Sequence, residues 1–386
     1  MNDEATVSSG VSFQLTEEQE AVVEMAVGLA KRYQPDPYVS YHEAGEFPWA
    51  FARELAAHGL TGIDIPTEIG GQGQSLFDSL LVIAAVARTS PHLADAVQTT
   101  NFGAVRQIAK FGGPRVVEEV LTPILQGRAL ATIAMSEPGG GSALSTLTTK
   151  ATRDGDEIVV NGSKVFNSSG PHATHFVVWA RFDEDPKAIG AVVVPATAAG
   201  FVRGATERFI SGEAHCTLTF EDCRVPADYV LTDYDGMRKM MSIFNVERLG
   251  NATRSYSYGE LAFRLAREYL LERETGKGRL ADHQGLQWKL ADMRMRLDAA
   301  QLLLYRAATE LTDGHPTALN TSIAKCVANE AGHEACNQAL QIFGGYGFTS
   351  DSPLEYLWKR TRGWMIAGGS TEIQRNRIAR ELLKLR

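Results

Sequence analysis

Apolar side chains recur at Leu286, Leu290, Met293, Leu297, Ala300, Leu304, Ala307 and Leu311, with spacings that alternate between four and three. On a helix this pattern draws one continuous stripe over roughly seven turns. A stripe that long is covered only by partner helices, so the chain from residue 237 onward is expected to form a helical bundle. The stripe itself reads as core packing.

The period differs upstream. After a polar leader of about ten residues, Thr16-Glu17-Glu18-Gln19 has the spacing of a capping box, in which a hydroxyl and an amide side chain satisfy free backbone groups at a helix start. Helical patterning then runs to about residue 127, broken by Gly70-Gly71-Gln72-Gly73 after Ile63, Ile65 and Pro66. From about residue 130 short β-rich runs take over: Glu157-Ile158-Val159-Val160, His175-Phe176-Val177-Val178-Trp179, Ala191-Val192-Val193-Val194-Pro195 and Cys216-Thr217-Leu218-Thr219-Phe220. Asn161-Gly162 reads as a hairpin turn because both residues tolerate positive φ. The β unit is expected to end near Val225-Pro226. The fold class is therefore α+β, mostly α, divided at 11–127, 128–236 and 237–386.

Charge and cysteine content narrow the function. Lys and Arg number 38 against 46 Asp and Glu, a net charge of −8, which disfavours nucleic acid and anionic membranes as partners while leaving room for a local basic pocket. Cys216, Cys223, Cys326 and Cys336 form no Cys-x-x-Cys pair and read as free core thiols in a reducing compartment. No apolar run is long enough to span a bilayer, and the start, Met1-Asn2-Asp3-Glu4, is acidic where a targeting peptide would be basic, so a cytoplasmic location is expected. The turn at 70–73 lacks the third glycine of a dinucleotide fingerprint. His172 and His175 have no third ligand nearby, so no metal site is expected.

Several segments together resemble the acyl-CoA dehydrogenases. Met135-Ser136-Glu137-Pro138-Gly139-Gly140-Gly141-Ser142 is similar to the family's Val-Thr-Glu-Pro-Gly-Ala-Gly-Ser loop, in which glycines let backbone amides approach a flat ring and hydroxyls meet its polar edge. Phe166-Asn167-Ser168-Ser169 resembles Trp-Ile-Thr-Asn, keeping the aromatic and the hydroxyl with a polar residue between them; Ala143 replaces a frequent Asp. The resemblance places Arg273 on the pyrophosphate of a flavin dinucleotide held by a neighbouring subunit, a task suited to a guanidinium fork. His283, Gln284, Gln341, Gly344 and Gly345 match further dinucleotide contacts, whereas Gly276 stands where the family has an adenine-touching Phe. Ser370 and Glu372 belong to the last cofactor segment, where Thr371 and Gln374 again have capping-box spacing. The resemblance implies FAD, an N-terminal helical domain, a central β-barrel-like domain, a C-terminal four-helix bundle, and a homodimer or homotetramer.

The catalytic base is the informative departure. Gly368-Gly369-Ser370-Thr371-Glu372-Ile373-Gln374-Arg375 resembles Glu-Gly-Thr-Ser-Glu-Ile-Gln-Arg, whose leading Glu removes the α-proton in most members, yet here that position is Gly368. In isovaleryl- and long-chain-like members the base lies in a Leu-x-x-Glu-Arg context, similar to Phe244-Asn245-Val246-Glu247-Arg248. Glu247 is therefore the expected base, while the Gly368 amide still polarises the thioester oxygen. A helix-surface or interhelical ion pair is the structural alternative for Glu247-Arg248. Ser142, Asn245 and Arg248 are implied substrate contacts; His92 aligns loosely with an Arg that grips a distal carboxylate in glutaryl-CoA dehydrogenases, but it is read as a surface or core histidine. The implied reaction is α,β-dehydrogenation of an acyl-CoA to a trans-2-enoyl-CoA, with an electron-transferring flavoprotein as partner. An enoyl-CoA reductase, or a flavoprotein of this fold that does not dehydrogenate, are the alternatives.

Overall fold

The computed structural model describes residues 14–33, 47–182, 185, 188–276 and 278–385. The polar leader and the acidic start Met1-Asn2-Asp3-Glu4 lie outside them. The first part is helical: α1 (Glu17–Tyr33), α2 (Trp49–Ala57), α3 (Leu76–Thr89), α4 (Ala94–Asn101), α5 (Gly103–Phe111), α6 (Pro114–Val116) and α7 (Thr122–Leu125). Thr16 and Gln19 exchange the two hydrogen bonds of a capping box, each 3.2 Å, at the start of α1. Ser75 and Asp78 do the same for α3, whose centre is buried all round.

A nine-stranded sheet follows, with β1 (Ala131–Ala134), β2 (Lys150–Asp154), β3 (Glu157–Ser168), β4 (His175–Arg181), β5 (Ile189–Pro195), β6 (Phe201–Arg203), β7 (Glu207–Arg208), β8 (Ala214–Pro226) and β9 (Val230–Thr232). The main order is β6-β8-β3-β2-β4-β5-β9, while β1 pairs in parallel with β4 and β7 pairs with β8. β4 and β5 are buried almost throughout, which explains their unbroken apolar runs. The sheet continues past Val225-Pro226 into β9, which adds to the edge of β5.

The hairpin turn does not fall at Asn161-Gly162. The chain reverses at Gly155-Asp156, closed by the Asp154–Glu157 pair, and β3 runs straight through Asn161 and Gly162. Those two residues instead form an irregularity opposite β8, where the register shifts between Val160 and Gly162. Gly162 is needed for space as well as conformation: its φ is +144° and a Cβ there would come within 2.7 Å of Thr149 Cα. Asn161 turns outward and bonds Asp222.

The last part is helical again: α8 (Gly236–Glu272), α9 (Gln284–Thr309), α10 (Ala318–Phe343), α11 (Pro353–Trp364) and α12 (Thr371–Leu383). α8, α9 and α10 pack on one another, and α11 and α12 close against α10. Met293, Leu297, Ala300, Leu304 and Ala307 of the α9 stripe are buried, with Leu286 and Leu290 packed at its edge. Leu311 does not continue the stripe, because α9 ends at Thr309 and Leu311 enters a short exposed strand paired with His315–Pro316. The start of α12 is also shifted by one residue. Ser370, not Thr371, is the N-cap, its hydroxyl accepting from the Ile373 amide, and Gln374 is turned inward instead of completing a capping box.

The bulge at Gly162 supports Thr149, which holds the loop described below. Gly162→Ala should therefore destabilise the protein by about 1–3 kcal/mol through overpacking. Urea unfolding should show a lower midpoint with an unchanged slope.

Candidate active site

The loop 135–142 is anchored from beneath by a buried carboxylate. Glu137 accepts hydrogen bonds from the Thr148 amide and hydroxyl, the Thr149 amide and hydroxyl, and Lys164 Nζ, at 2.6 to 3.0 Å. Burial alone would raise this carboxyl, but the Lys164 and Thr149 hydrogen bonds outweigh it and hold it down at about 2. Lys164, fully enclosed, is pushed by burial down to about 8 despite its partner. Lys164 also reaches the Met135 carbonyl, and the Val165 amide donates to Ser136. These bonds lay the loop beside Phe166.

Phe166 is prominently exposed on this face. Its ring is 64% accessible, its φ is +56°, and it is flanked by Phe209 and His215. An aromatic held in the left-handed region with its ring presented to solvent needs support, and the stacked Phe209–His215 pair provides it. Gly141, Ser142 and Ser168 are exposed and Met135 and Ser136 half-buried on the same part of the chain. Asn167 points the other way. It is buried, donating to the Ile133 carbonyl and accepting from Thr132, so the polar residue between aromatic and hydroxyl serves the sheet and leaves the exposed face unaltered.

Glu247 lies on α8, half-buried, and its Oε2 accepts from Gln98 Nε2 of α4 at 2.7 Å. Burial raises its proton affinity, opposed chiefly by the Arg254 cation and the Gln98 hydrogen bond. The sequence did not single out Gln98 or Arg254, because neither belongs to a motif. Arg248 is turned to a different task. Its Nε donates to the Gly368 carbonyl at 3.0 Å and its Nη1 to Asn245 Oδ1 at 2.9 Å, while Asn245 donates to Pro316. Arg248 and Asn245 are thus buried partners around the Gly368 turn, and the interhelical contact of Glu247 is a hydrogen bond from Gln98.

Gly368 and Gly369 have φ of +70° and +90°. Their carbonyls face inward: Gly368 accepts from Arg248, and Gly369 accepts from Lys325 Nζ at 3.2 Å and Gln374 Nε2 at 3.1 Å. Lys325 also holds the Trp364 carbonyl, and burial followed by repulsion from Arg248 pushes its ammonium down to about 8. Three donors gripping two carbonyls fix the peptide planes of this turn.

A clasp ties these pieces together. Arg360 of α11 pairs with Asp95 of α4 at 2.6 Å and with Glu213 at the start of the β8 hairpin. Arg254 also pairs with Asp95, and both guanidinium groups lie over Trp364. Glu213 stands two residues from His215, which supports Phe166. The clasp therefore connects the Phe166 face to the helices carrying Gln98 and Glu247.

The remaining sites lie elsewhere. Arg273, His283, Gln284, Gln341, Gly344 and Gly345 are all exposed, around the far end of α8, the start of α9 and the end of α10. Arg273 sits 5.8 Å over the Tyr346 ring. From Glu247 to the end of α8 near Arg273 the helical rise is roughly 39 Å. One chain thus carries two separated groups of residues. Ser370 caps α12, and Glu372 is exposed in its first turn. Burial lowers His92 to about 4, leaving it neutral and unsuited to grip an anion. Among the described residues no group of three or more His, Cys, Asp or Glu could hold a metal, all four cysteines are free and buried, and no helix is long and apolar enough to cross a membrane.

The structure thus brings together on a helix–sheet–helix scaffold an exposed ring with hydroxyls near it, a loop anchored through Glu137, and a half-buried carboxylate on α8. Family comparison agrees along the whole length. Residues 16–128, 132–223 and 234–383 match the N-terminal, middle and C-terminal domains of acyl-CoA dehydrogenase. The chain belongs to the acyl-CoA dehydrogenase family, and its cofactor is FAD. It is 32% identical to a 3-sulfinopropanoyl-CoA desulfinase of Paraburkholderia xenovorans, covering 96% of this chain and 97% of that protein. It is 30% identical to an acyl-CoA dehydrogenase of Bacillus subtilis, covering 96% and 99%. Butyryl-CoA dehydrogenase from Megasphaera elsdenii superposes with a TM-score of 0.90 at 28% identity, covering 97% of this chain and 100% of that one. The residues present fit FAD: Phe166 offers a largely exposed ring and Ser136, Ser142 and Ser168 offer hydroxyls.

Lys164→Met should leave Glu137 charged and buried, at a cost of about 3–5 kcal/mol. A large fall in melting temperature would show it. Glu137 contributes stability above its ordinary value of 4.5, and that contribution is lost as pH falls toward about 2. In that window the parent should lose melting temperature more steeply than Glu137→Gln.

Proposed function

We propose that this chain is an FAD-dependent acyl-CoA dehydrogenase in which Glu247 takes the α-proton of an acyl-CoA and the β-hydride passes to flavin N5, giving a trans-2-enoyl-CoA. The observation that carries this reading is Glu247 itself, a carboxylate half-buried between α4 and α8 and raised in proton affinity by burial, in a chain whose alternative position is Gly368. A base raised toward the working pH is ionised enough to act and basic enough to accept a proton. Gln98 suits both states. Its Nε2 donates to the carboxylate, and its Oε1, buried without a hydrogen-bond partner among the described residues, would accept from the acid after a flip of the amide. With its carbonyl held inward, the Gly368 turn is suited to present an amide to the thioester oxygen, where enolate charge develops. FAD, when bound, supplies the hydride acceptor.

Phe166, Met135, Ser136, Gly141, Ser142, Ser168, Ser370 and Glu372 are assigned to the flavin end and Arg273, His283, Gln284, Gln341, Gly344 and Gly345 to the pyrophosphate and adenosine end of a cofactor shared between subunits. The separation along α8 supports that sharing, and so does a second apolar row on α9, where Trp288, Met295 and Leu302 are 62%, 62% and 46% exposed at seven-residue spacing. A homodimer or homotetramer follows from it. An electron-transferring flavoprotein is the proposed partner. A chain of the solved electron transferring flavoprotein work on Acidaminococcus fermentans shares the fold at a TM-score of 0.91 and 29% identity.

A second reading is desulfination, favoured by the name of the Paraburkholderia relative. A panel of butyryl-, isovaleryl-, octanoyl- and 3-sulfinopropanoyl-CoA, added without oxygen, separates the readings. Bleaching of the flavin by one of the first three supports dehydrogenation; sulfite release from the fourth with the flavin left oxidised supports desulfination. Reoxidation of reduced enzyme by crotonyl-CoA, with no bleaching by any saturated thioester, would assign the reverse reaction.

Glu247→Gln should retain FAD while flavin reduction slows by ~10²–10⁴-fold. Reduction at the parental rate would remove Glu247 from the chemistry. Arg273→Ala should lose a charge-assisted phosphate contact worth ~1.5–3 kcal/mol and shed FAD on gel filtration. Full retention would refute the shared-cofactor assignment.

A further inference from the structure

Glu247 is one half of a two-rung ladder between α4 and α8. Gln98 and Asp95 are three residues apart on α4, so both project from one face; Glu247 and Arg254 are seven apart on α8 and also share a face. The first rung is Gln98 to Glu247, and the second is Asp95 to Arg254. Side chains lean toward the N-terminal end of their helix, which carries the Arg254 side chain back over the intervening turn toward Glu247. That turn contains Gly250, where a Cβ would come within 2.4 Å of Gln98 Oε1. The glycine keeps the space between the rungs free of a side chain.

Charges reach this ladder from four of the helices packed around it. α4 contributes Asp95, α8 contributes Arg254 and the neighbouring Arg248, α10 contributes Lys325, and α11 contributes Arg360. Arg248 and Lys325 are committed to the Gly368–Gly369 carbonyls. Arg360 divides itself between Asp95 and Glu213. Arg254 and Asp95 are the oppositely charged pair aligned with Glu247, in a region where burial makes charges felt strongly.

We propose that Arg254 and Asp95 are positioning residues that set the charge state of Glu247 with opposite sign, Arg254 holding it ionised and Asp95 restraining that effect. The proposal deepens the reading of Glu247 as the base and rests on that reading only for its catalytic consequence. The sign argument is direct. Removing the cation should make Glu247 easier to protonate, and removing the anion should make it harder. A purely structural clasp would give both losses the same sign.

The test uses the FAD-loaded full chain and infrared difference spectra recorded through a pH titration, with the protonated carboxyl band of Glu247 assigned by its disappearance in Glu247→Gln. In Arg254→Met the band should appear at higher pH than in the parent, and in Asp95→Asn at lower pH; Arg254→Lys, which keeps the charge, should stay close to the parent. The acid limb of flavin reduction by the most reactive acyl-CoA of the panel should move the same way. Should Arg254→Met fail to fold, Asp95→Asn alone must still move the band down. An unmoved band, or shifts of the same sign in both variants, overturns the proposal. If the band moves as expected while Glu247→Gln reduces its flavin normally, the tuning stands and the assignment of Glu247 as base falls.

Discussion

Arg360 makes the contact on which the arrangement of the site depends. Its guanidinium meets Asp95 from the first helical part and Glu213 from the sheet, and it belongs to the last helical part. Burying such ions costs several kcal/mol each unless they are paired, so a displacement of any one part would leave a charge stranded. The value of the clasp is therefore in specifying one arrangement. Trp364 reinforces it by lying under both Arg254 and Arg360, at 4.7 Å and 4.9 Å. Because Glu213 adjoins His215 and Asp95 adjoins Gln98 on α4, the same contact sets the Phe166 face in relation to Glu247.

The order helix, sheet, helix was legible because periodicity changes from 3.6 to 2 and back, and periodicity reports which faces are buried. Leu297 and Val193 announce their environments in this way. Local turn chemistry was less reliable. Asn161-Gly162 tolerates a hairpin, but Gly155 tolerates one equally, and pairing of β3 with β8 across Gly162 decided between them. Leu311 obeyed the spacing of the α9 stripe but fell beyond the helix end, since periodicity carries no information about termination. Ser370 and Thr371 are both competent caps, and only the inward turn of Gln374 toward Ser322 selects the first.

The site was legible where a residue acts through its own chemistry and illegible where it acts through a distant partner. Glu247 could be singled out as a candidate from its context, and Phe166 from its place between a hydroxyl-bearing loop and a hydroxyl. Asn167 could not be interpreted alone, because its bonds to Thr132 and Ile133 depend on the parallel pairing of β1 beside β4. Gln98, Arg254, Lys325 and Arg360 are similarly silent in sequence. Their separations of up to 265 residues from the groups they touch leave no local pattern to read.

The surroundings of Gly368 bear on the proposal that Glu247 is the base. A Cβ at this position would make only ordinary contact, 3.6 Å from Lys325 and 4.0 Å from Arg248, so space does not forbid a side chain. The left-handed backbone would impose about 1–2 kcal/mol of strain. A carboxylate there would leave the backbone beside two buried cations, which would favour its ionised form and weaken it as a proton acceptor. At Glu247 the cation that chiefly opposes protonation is Arg254, and Arg254 is already paired with Asp95. The cations behind Gly368 fix the carbonyls of its turn, while burial raises the proton affinity of Glu247 on α8. Under the proposed assignment the two tasks are separated, the turn at Gly368 holding its backbone rigidly and Glu247 on α8 taking the proton.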